Sequence, residues 1–152
     1  MTKISLKTAF VAGLLATTGL TPAKADITVG FITSMSGAVS SIGIPYARGI
    51  KAGETYISEV GGQKLKVVSL DDASDVSNAS KLARKLVEED KVDVLIGTAG
   101  APGSAAIIAV ATEMKVPFIG ITPVVSVPKN DGKPWAMTVV QPASDMVGAV
   151  VK

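Results

Sequence analysis

The sequence predicts an α/β fold built on a doubly wound parallel sheet. Short apolar runs alternate with helical patterns along residues 26–152. Strands that alternate with helices of about 10–16 residues favour parallel neighbours joined by right-handed crossovers. The chain has 152 residues, 47% of them hydrophobic, which is enough to form one domain of ordinary size and too little for two.

The first 25 residues have the features of a secretory signal peptide. Lys3 and Lys7 precede an unbroken apolar run at 9–15, and Ala23-Lys24-Ala25 has the small-x-small form that signal peptidase reads. The apolar run is too short to span a bilayer, which takes about 20 residues. We therefore expect cleavage after Ala25 and a periplasmic product. This product carries 12 basic and 13 acidic side chains, so we expect no nucleic-acid partner.

A buried strand and a long helix are predicted at the start of the mature chain. The apolar run 27–33 is typical of a buried strand, and it ends in the Ser/Gly-rich loop 34–41. Residues spaced four and three apart then mark one face of a helix: Tyr46, Ile50, Gly53, Ile57 and Val60. Pro45 fits the first turn of this helix, and Gly61-Gly62 ends it.

Further strands and helices follow in alternation. Strands are predicted at 65–70, 92–97, 117–121 and 136–140 from their apolar centres. One helical face is formed by Ala79, Leu82, Ala83, Leu86 and Val87, with Asp75 or Ser77 as the cap. A second face is formed by Ala106, Ile107, Val110, Ala111 and Met114. A last helix is predicted to start at Ser144.

Two loops of small polar residues are the candidate binding region. In an open parallel sheet, ligands bind beyond the carboxyl ends of the strands, where the strand order reverses. With the order 2-1-3-4, that point lies at the loops 34–41 and 98–104. Free N–H groups at the helix starts attract an anion there, and hydroxyls are available on Ser34, Ser36, Ser40, Thr98, Ser104, Thr122 and Ser126. The pattern predicts a donor-rich cleft for a carboxylate; the alternative is that these loops are ordinary turns and caps.

The composition excludes much enzyme chemistry. The chain has no Cys and no His, so thiol catalysis, the usual structural zinc sites and a Ser-His-Asp triad are excluded. The segment 97–104 has neither the G-x-G-x-x-G pattern nor the lysine of a phosphate-binding loop. The acids at 71, 72 and 75 lack the spacing of a calcium loop, and we interpret them as solvating a strand end and capping a helix. We expect no cofactor, no metal and no enzymatic activity.

Five segments in register carry a resemblance to a known family: 27–37, 41–43, 70–75, 94–100, and 116–119 with 122–123. They resemble the Leu/Ile/Val-binding family of periplasmic substrate-binding proteins, which serve ABC transporters. The resemblance implies two α/β lobes that close on a ligand. It implies that residues 26–141 form the first lobe, and that residues 142–152 form the crossover and the start of a helix in the second.

The resemblance also implies which residues bind the ligand. In the family, the loops after the third and fourth strands hold the ligand carboxylate. Here Ala101-Pro102-Gly103 stands where amino-acid binders usually place serines, and Ile42 replaces an aromatic residue before Gly43. The candidate ligand-binding residues are Ser36, Ile42, Tyr46, Ala101, Ser104, Val124 and Ser126.

The expected function is that of an extracytoplasmic solute-binding component of an ABC importer. The ligand would be a small carboxylate, either a branched-chain or other apolar amino acid or an aromatic acid. The run 41–46 resembles members that take aromatic or other small organic acids. The expected partners are this ligand and the ABC permease in the inner membrane, and the protein is expected to be a monomer. The alternative is the ligand-binding ectodomain of a sensory receptor with the same fold.

Overall fold

The computed structural model describes residues 26–123, 129–130 and 132–140. The predicted signal peptide at 1–25, the candidate residues Val124 and Ser126, and the segment 141–152 lie outside the described residues. Within the described part of the chain, no helix is long and apolar enough to cross a membrane.

The helices and strands alternate as the sequence predicts. In chain order they are β1 (Ile27–Thr33), α1 (Ser40–Tyr56), β2 (Glu59–Val60), β3 (Gln63–Asp71), α2 (Val76–Glu88), β4 (Val94–Gly97), α3 (Ala101–Met114), β5 (Phe118–Gly120), β6 (Lys129–Asn130), β7 (Lys133–Pro134) and β8 (Ala136–Thr138). Strand β1 has the predicted bounds, because a short, mostly apolar segment rich in β-branched residues lies between polar neighbours. Asp75 caps α2, since its side chain accepts a hydrogen bond from the Asn78 N–H at 2.6 Å.

The main sheet has the strand order β2-β3-β1-β4-β5-β8. Strand β1 runs parallel to β3 on one side and to β4 on the other, β5 and β8 continue in the same direction, and β2 pairs antiparallel to β3. The order 2-1-3-4, on which the position of the candidate binding loops was conditional, corresponds to the observed order β3-β1-β4-β5. The parallel strands that follow β1 in the sequence thus lie on opposite sides of it, first β3 and then β4. The strand order reverses between β1 and β4.

The hydrophobic core lies on the face of the sheet that α2 and α3 cover. Gly30 pairs in register with Val68 and Leu95, and Leu95 pairs with Phe118. Because side chains alternate across a strand, these positions share one face. Leu95 and Phe118 are almost fully buried there with Leu86 of α2.

Helix α1 corrects one boundary prediction. It begins at Ser40 and ends at Tyr56, so Pro45 lies inside it rather than in its first turn. The reason is that Val39 O accepts hydrogen bonds from the Ile42 and Gly43 N–H groups at 3.0 and 3.1 Å, which starts the helix early. Ile57 is already in extended backbone, so the predicted face does not continue beyond Tyr56.

Gly61-Gly62 forms a hairpin turn and does not end a helix. Both glycines have positive φ, 59° and 78°, and they join β2 to β3 as an antiparallel pair. A two-residue turn with positive φ at both positions is the type that best matches the twist of paired strands, and glycine adopts it without strain. The short strand β2 was not predicted because its two residues, Glu59 and Val60, carry no periodicity.

The opposite face of the sheet is only partly covered. Helix α1 packs over β1 and β3, whereas an apolar groove of about 410 Å³ lies over β4, β5 and β8. Val94, Ile119 and Met137 line this groove. Met137 and the neighbouring Val139 expose 63% and 67% of their surface.

This exposed apolar face should bind hydrophobic dyes. We expect the purified protein to enhance 8-anilinonaphthalene-1-sulfonate fluorescence, because contiguous exposed apolar surface is what such dyes detect. The double substitution Met137→Gln and Val139→Gln, which adds no cation to attract the anionic dye, should reduce the signal. Val60→Gln, 47% exposed in β2 at the opposite edge of the sheet, is the matched control. An equal signal from the double variant would show that the dye binds elsewhere.

Candidate functional site

The carboxyl ends of β1, β3 and β4 surround a small cleft. Its volume is about 140 Å³, and its lining residues come from the segments 34–39, 72–76 and 98–103. These segments follow neighbouring parallel strands, so the cleft lies at the edge where an open α/β sheet binds ligands. The position agrees with the loops that the sequence analysis selected.

A buried carboxylate lies beneath this cleft. Asp72 is 2% exposed. Its Oδ1 accepts hydrogen bonds from Ser34 Oγ at 2.6 Å and from the Ser74 N–H at 2.9 Å. Its Oδ2 accepts a hydrogen bond from Thr98 Oγ1 at 2.6 Å. The prediction that Asp72 solvates the strand end is therefore wrong: this side chain shares the face of Leu70 and points into the protein.

Thr98 extends this arrangement to β5. Its N–H donates to Ser104 Oγ at 3.3 Å, and its carbonyl oxygen accepts a hydrogen bond from Thr122 Oγ1. Thr98, Ser104 and Thr122 are all buried. One chain of hydrogen bonds thus joins the carboxyl ends of β1, β3, β4 and β5.

Asp71 holds the loop that follows β1. Its Oδ1 accepts hydrogen bonds from the Met35 and Ser36 N–H groups at 2.8 and 3.3 Å, and its Oδ2 accepts one from Ser36 Oγ at 2.7 Å. Partial desolvation raises the pKa of this carboxyl, but the hydrogen bonds from Ser36, Ala73 and Met35 outweigh that effect and hold the pKa below the ordinary value. The charged form of Asp71 is therefore the one that fixes this loop.

Acidification should weaken the fold through Asp71. Because the folded-state pKa is lower than the unfolded value of 3.8, the contribution to stability is complete above that value and is lost as the pH falls through the folded-state pKa. We expect the denaturant midpoint to fall below about pH 4 in the wild type. Asp71→Asn should be less stable at pH 7 and less sensitive to acid.

A control is offered by Asp26, which is exposed and precedes the end of β1 opposite to this loop. Asp26→Asn should keep the wild-type pH profile. If Asp71→Asn and the wild type lost stability in parallel between pH 5 and pH 3, the assignment of this acid sensitivity to Asp71 would be incorrect.

The start of α3 provides backbone donors at the same edge. The helix has Gly100 as its N-cap without a side-chain cap, and its first intrahelical bond runs from the Ser104 N–H to Gly100 O at 2.9 Å. The N–H groups of Ala101 and Gly103 therefore have no partner within the helix, and Pro102 has none to offer. Ala101 is exposed, and its neighbours Gly100 and Pro102 line the cleft.

The structure separates the predicted site residues. Ser36 is exposed and bonded to Asp71, Ile42 is 45% exposed in the first turn of α1, and Ser104 is buried behind Thr98. Tyr46 lies in a different, apolar groove with Phe31 and Ile50. Of the predicted residues, Ser36, Ile42 and Ala101 are exposed, but none of the predicted residues that the structure describes is among those lining the cleft.

Asp72 is the residue that the sequence analysis missed as part of the site. The signal in the sequence was the spacing of two residues. Val68 and Leu70 of β3 pack against the core, and Asp72, directly after the strand, continues the same face. A carboxylate in that register must be buried and must find hydrogen-bond donors. Within the described residues, no group of three or more His, Cys, Asp or Glu is placed to hold a metal ion.

Comparisons with known proteins identify relatives along most of the chain. The family model described as "Periplasmic binding protein" matches residues 26–152. The Leu/Ile/Val-binding protein homolog 7 of Brucella suis biovar 1 is 34% identical over 110 residues, which are 71% of this chain and 27% of that protein. The chain thus spans about a quarter of that relative's length.

Solved structures show the same fold. The extracellular ligand-binding receptor from Rhodopseudomonas palustris HaA2 matches with a TM-score of 0.72 and 32% identity, over 82% of this chain and 34% of that one. A solute-binding protein of an ABC transporter from Rhodopseudomonas palustris BisB5, in complex with 3,4-dihydroxybenzoic acid, matches with a TM-score of 0.65 and 30% identity, over 74% of this chain and 31% of that one. The chain therefore belongs to the periplasmic binding protein family, whose members are binding proteins and not enzymes.

Proposed function

We propose that this chain supplies one wall of the ligand site of an extracytoplasmic solute-binding protein for an ABC importer. The ligand is a small carboxylate, either an apolar amino acid or an aromatic acid. The observation that carries the proposal is the uncapped start of α3 at the carboxyl edge of the sheet, where the Ala101 N–H has no partner within the helix. A helix N-terminus with free N–H groups favours a negatively charged group.

The two acids at the cleft, Asp72 and Asp75, already have hydrogen-bond donors of their own and would not compete with a ligand carboxylate for the N–H groups at the start of α3. Asp72 is engaged by Ser34, Ser74 and Thr98, and Asp75 caps α2. The carboxylate oxygens of both residues therefore accept hydrogen bonds from groups other than the Ala101 N–H. A ligand carboxylate at the start of α3 would be bound by neutral groups, as the composition of both loops favours.

The size of the cleft supports a site completed by a second wall. Pockets for small molecules usually have volumes of about 300–1,000 Å³, and the cleft here has about 140 Å³. In the two-lobed architecture that the family resemblance implies, a second lobe would close over the cleft and bury the ligand. Closure would give the permease in the inner membrane a distinct form to recognise.

The proposal is tested by a thermal-shift and calorimetric screen of matched pairs. Leucine, isoleucine and valine are compared with leucinamide, and 4-hydroxybenzoate and 3,4-dihydroxybenzoate with the corresponding benzamides. We expect at least one carboxylate to stabilise the protein by about 2.7 kcal/mol at a concentration 100 times its Kd, and its amide to have no effect. The set of carboxylates that bind assigns the ligand class. No stabilisation by any carboxylate would contradict the proposal.

A further inference from the structure

Asp72 is a buried charge without a cation. Its side chain is 2% exposed, and among the described residues no Lys or Arg forms an ion pair with it. Burial of a carboxylate is costly unless hydrogen bonds replace its hydration. Three donors from three different segments provide those bonds: Ser34 Oγ, the Ser74 N–H and Thr98 Oγ1.

The two hydroxyl donors belong to the loops on either side of the reversal in strand order. Ser34 begins the loop after β1, and Thr98 begins the loop that leads into α3. Both bonds are 2.6 Å long, one to each carboxylate oxygen, so Asp72 fixes the separation of the two loops. Hydrogen bonds to a charged acceptor are short and about twice as strong as neutral ones.

Thr98 connects Asp72 to the start of α3, which is proposed to bind the ligand. Its N–H is fixed by Ser104 in the first turn of α3, and its carbonyl oxygen is fixed by Thr122 after β5. A shift of Thr98 would therefore move the start of α3 and Thr122 together. Space for such a shift is limited, because a Cβ on Gly103 would already lie 2.9 Å from Thr98 Cγ2.

We propose that Asp72 is a positioning residue for ligand binding. It contacts no ligand, and it holds the loops after β1 and β4 at the spacing that the ligand carboxylate requires. This inference rests on the proposed function for its effect on affinity, whereas its effect on loop order is independent of any ligand.

The ligand-free test is amide hydrogen exchange in the purified protein. Asp72→Ala removes all three bonds, and we expect the Thr98 amide, which donates to Ser104 Oγ, to exchange at least tenfold faster than in the wild type. Asp72→Asn retains one accepting oxygen and places an NH₂ group where a hydroxyl oxygen can accept from it, so a smaller increase is expected. Thr98→Val removes only the hydroxyl bonded to Oδ2 and should affect the same backbone amide, which keeps the test decisive if Asp72→Ala does not fold.

The control separates positioning from a general loss of stability. Ala83 is fully buried on α2 and takes no part in the hydrogen-bond network. Ala83→Gly should lower the stability without a selective increase in exchange of the Thr98 amide. Equal exchange of the Thr98 amide in Asp72→Ala and Ala83→Gly, after correction for global stability, would overturn the inference.

The ligand test uses calorimetry with the carboxylate that binds the wild type in the screen. We expect Kd to rise at least tenfold in Asp72→Ala and less in Asp72→Asn, at a temperature where each variant is fully folded. An unchanged Kd in Asp72→Ala would overturn the positioning role and leave the proposed function standing. If the wild type binds no carboxylate, the proposed function fails, and the hydrogen-exchange result alone decides whether Asp72 orders the loops.

Discussion

Replacing Gly43 with alanine is expected to lower the free energy of unfolding by about 3 kcal/mol, at the upper end of the range for overpacking. A Cβ at this position would lie 2.0 Å from the carbonyl oxygen of Ser34 and 2.6 Å from its carbonyl carbon. These are backbone atoms, so they cannot move aside as the end of a flexible side chain can. Helix α1 would have to move away from the loop after β1. The measurement is chemical denaturation of both proteins at pH 7.

The same helix provides a matched control. A Cβ on Gly49 would have no neighbour within 4 Å, and alanine is favoured over glycine inside a helix by about 0.5–1 kcal/mol. Gly49→Ala should therefore stabilise the protein. If Gly43→Ala were as stable as Gly49→Ala, the close approach of α1 to Ser34 would be incorrect, and with it the placement of the loop that carries Ser36.

Replacing Leu86 with alanine is expected to cost about 2–5 kcal/mol, because it leaves a cavity in a well-packed core. Leu86 is fully buried on α2. It lies directly over Gly30 of β1, where a Cβ would come within 2.9 Å of Leu86 Cδ1. Val76→Ala is the matched control, because Val76 begins the same helix with 44% of its surface exposed, and its cost should stay within about 0.5 kcal/mol.

This contact also predicts that two substitutions will not be additive. Gly30→Ala alone should destabilise the wild type by about 1–3 kcal/mol through crowding. In the Leu86→Ala protein the added methyl group has room, so its cost should be lower by at least about 0.5 kcal/mol. Denaturation of the four proteins of this cycle gives the coupling energy. Strictly additive effects would show that α2 does not pack on β1 at Gly30.

The fold followed from the sequence where the periodicity was unambiguous. The run at 27–33 predicted a strand with the observed bounds, and the alternation of strands with helices predicted parallel neighbours, which the pairing of β1 with β3 and β4 confirms. The start of α1 could not be predicted, because residues 40–44 are small or β-branched and have little helix propensity of their own. That turn is fixed by tertiary contact, above all by the approach of Gly43 to Ser34.

The two loops predicted from composition lie together at one edge of the sheet, whereas their role in ligand binding stays a prediction. Loop composition alone placed donors at 34–41 and 98–104, because carboxyl ends of adjacent parallel strands meet at one edge. The role of Asp72 depends on which of two neighbouring acids faces inward, and this is set by the register of β3 against β1. Tyr46 begins near the first loop in sequence, yet the direction of α1 carries its side chain into another groove.

In the function proposed here, a carboxylate binds at the start of α3, beside the loop that follows β1. The most direct measurement is a two-dimensional ¹⁵N–¹H NMR titration of the labelled protein with isoleucine and, separately, with 3,4-dihydroxybenzoate. We expect the binding ligand to shift the amide resonances of Ala101, Gly103 and residues 35–37, and the matched amide to leave them unchanged. Shifts confined to the apolar groove around Met137, or shifts of equal size with the amide, would contradict the claim.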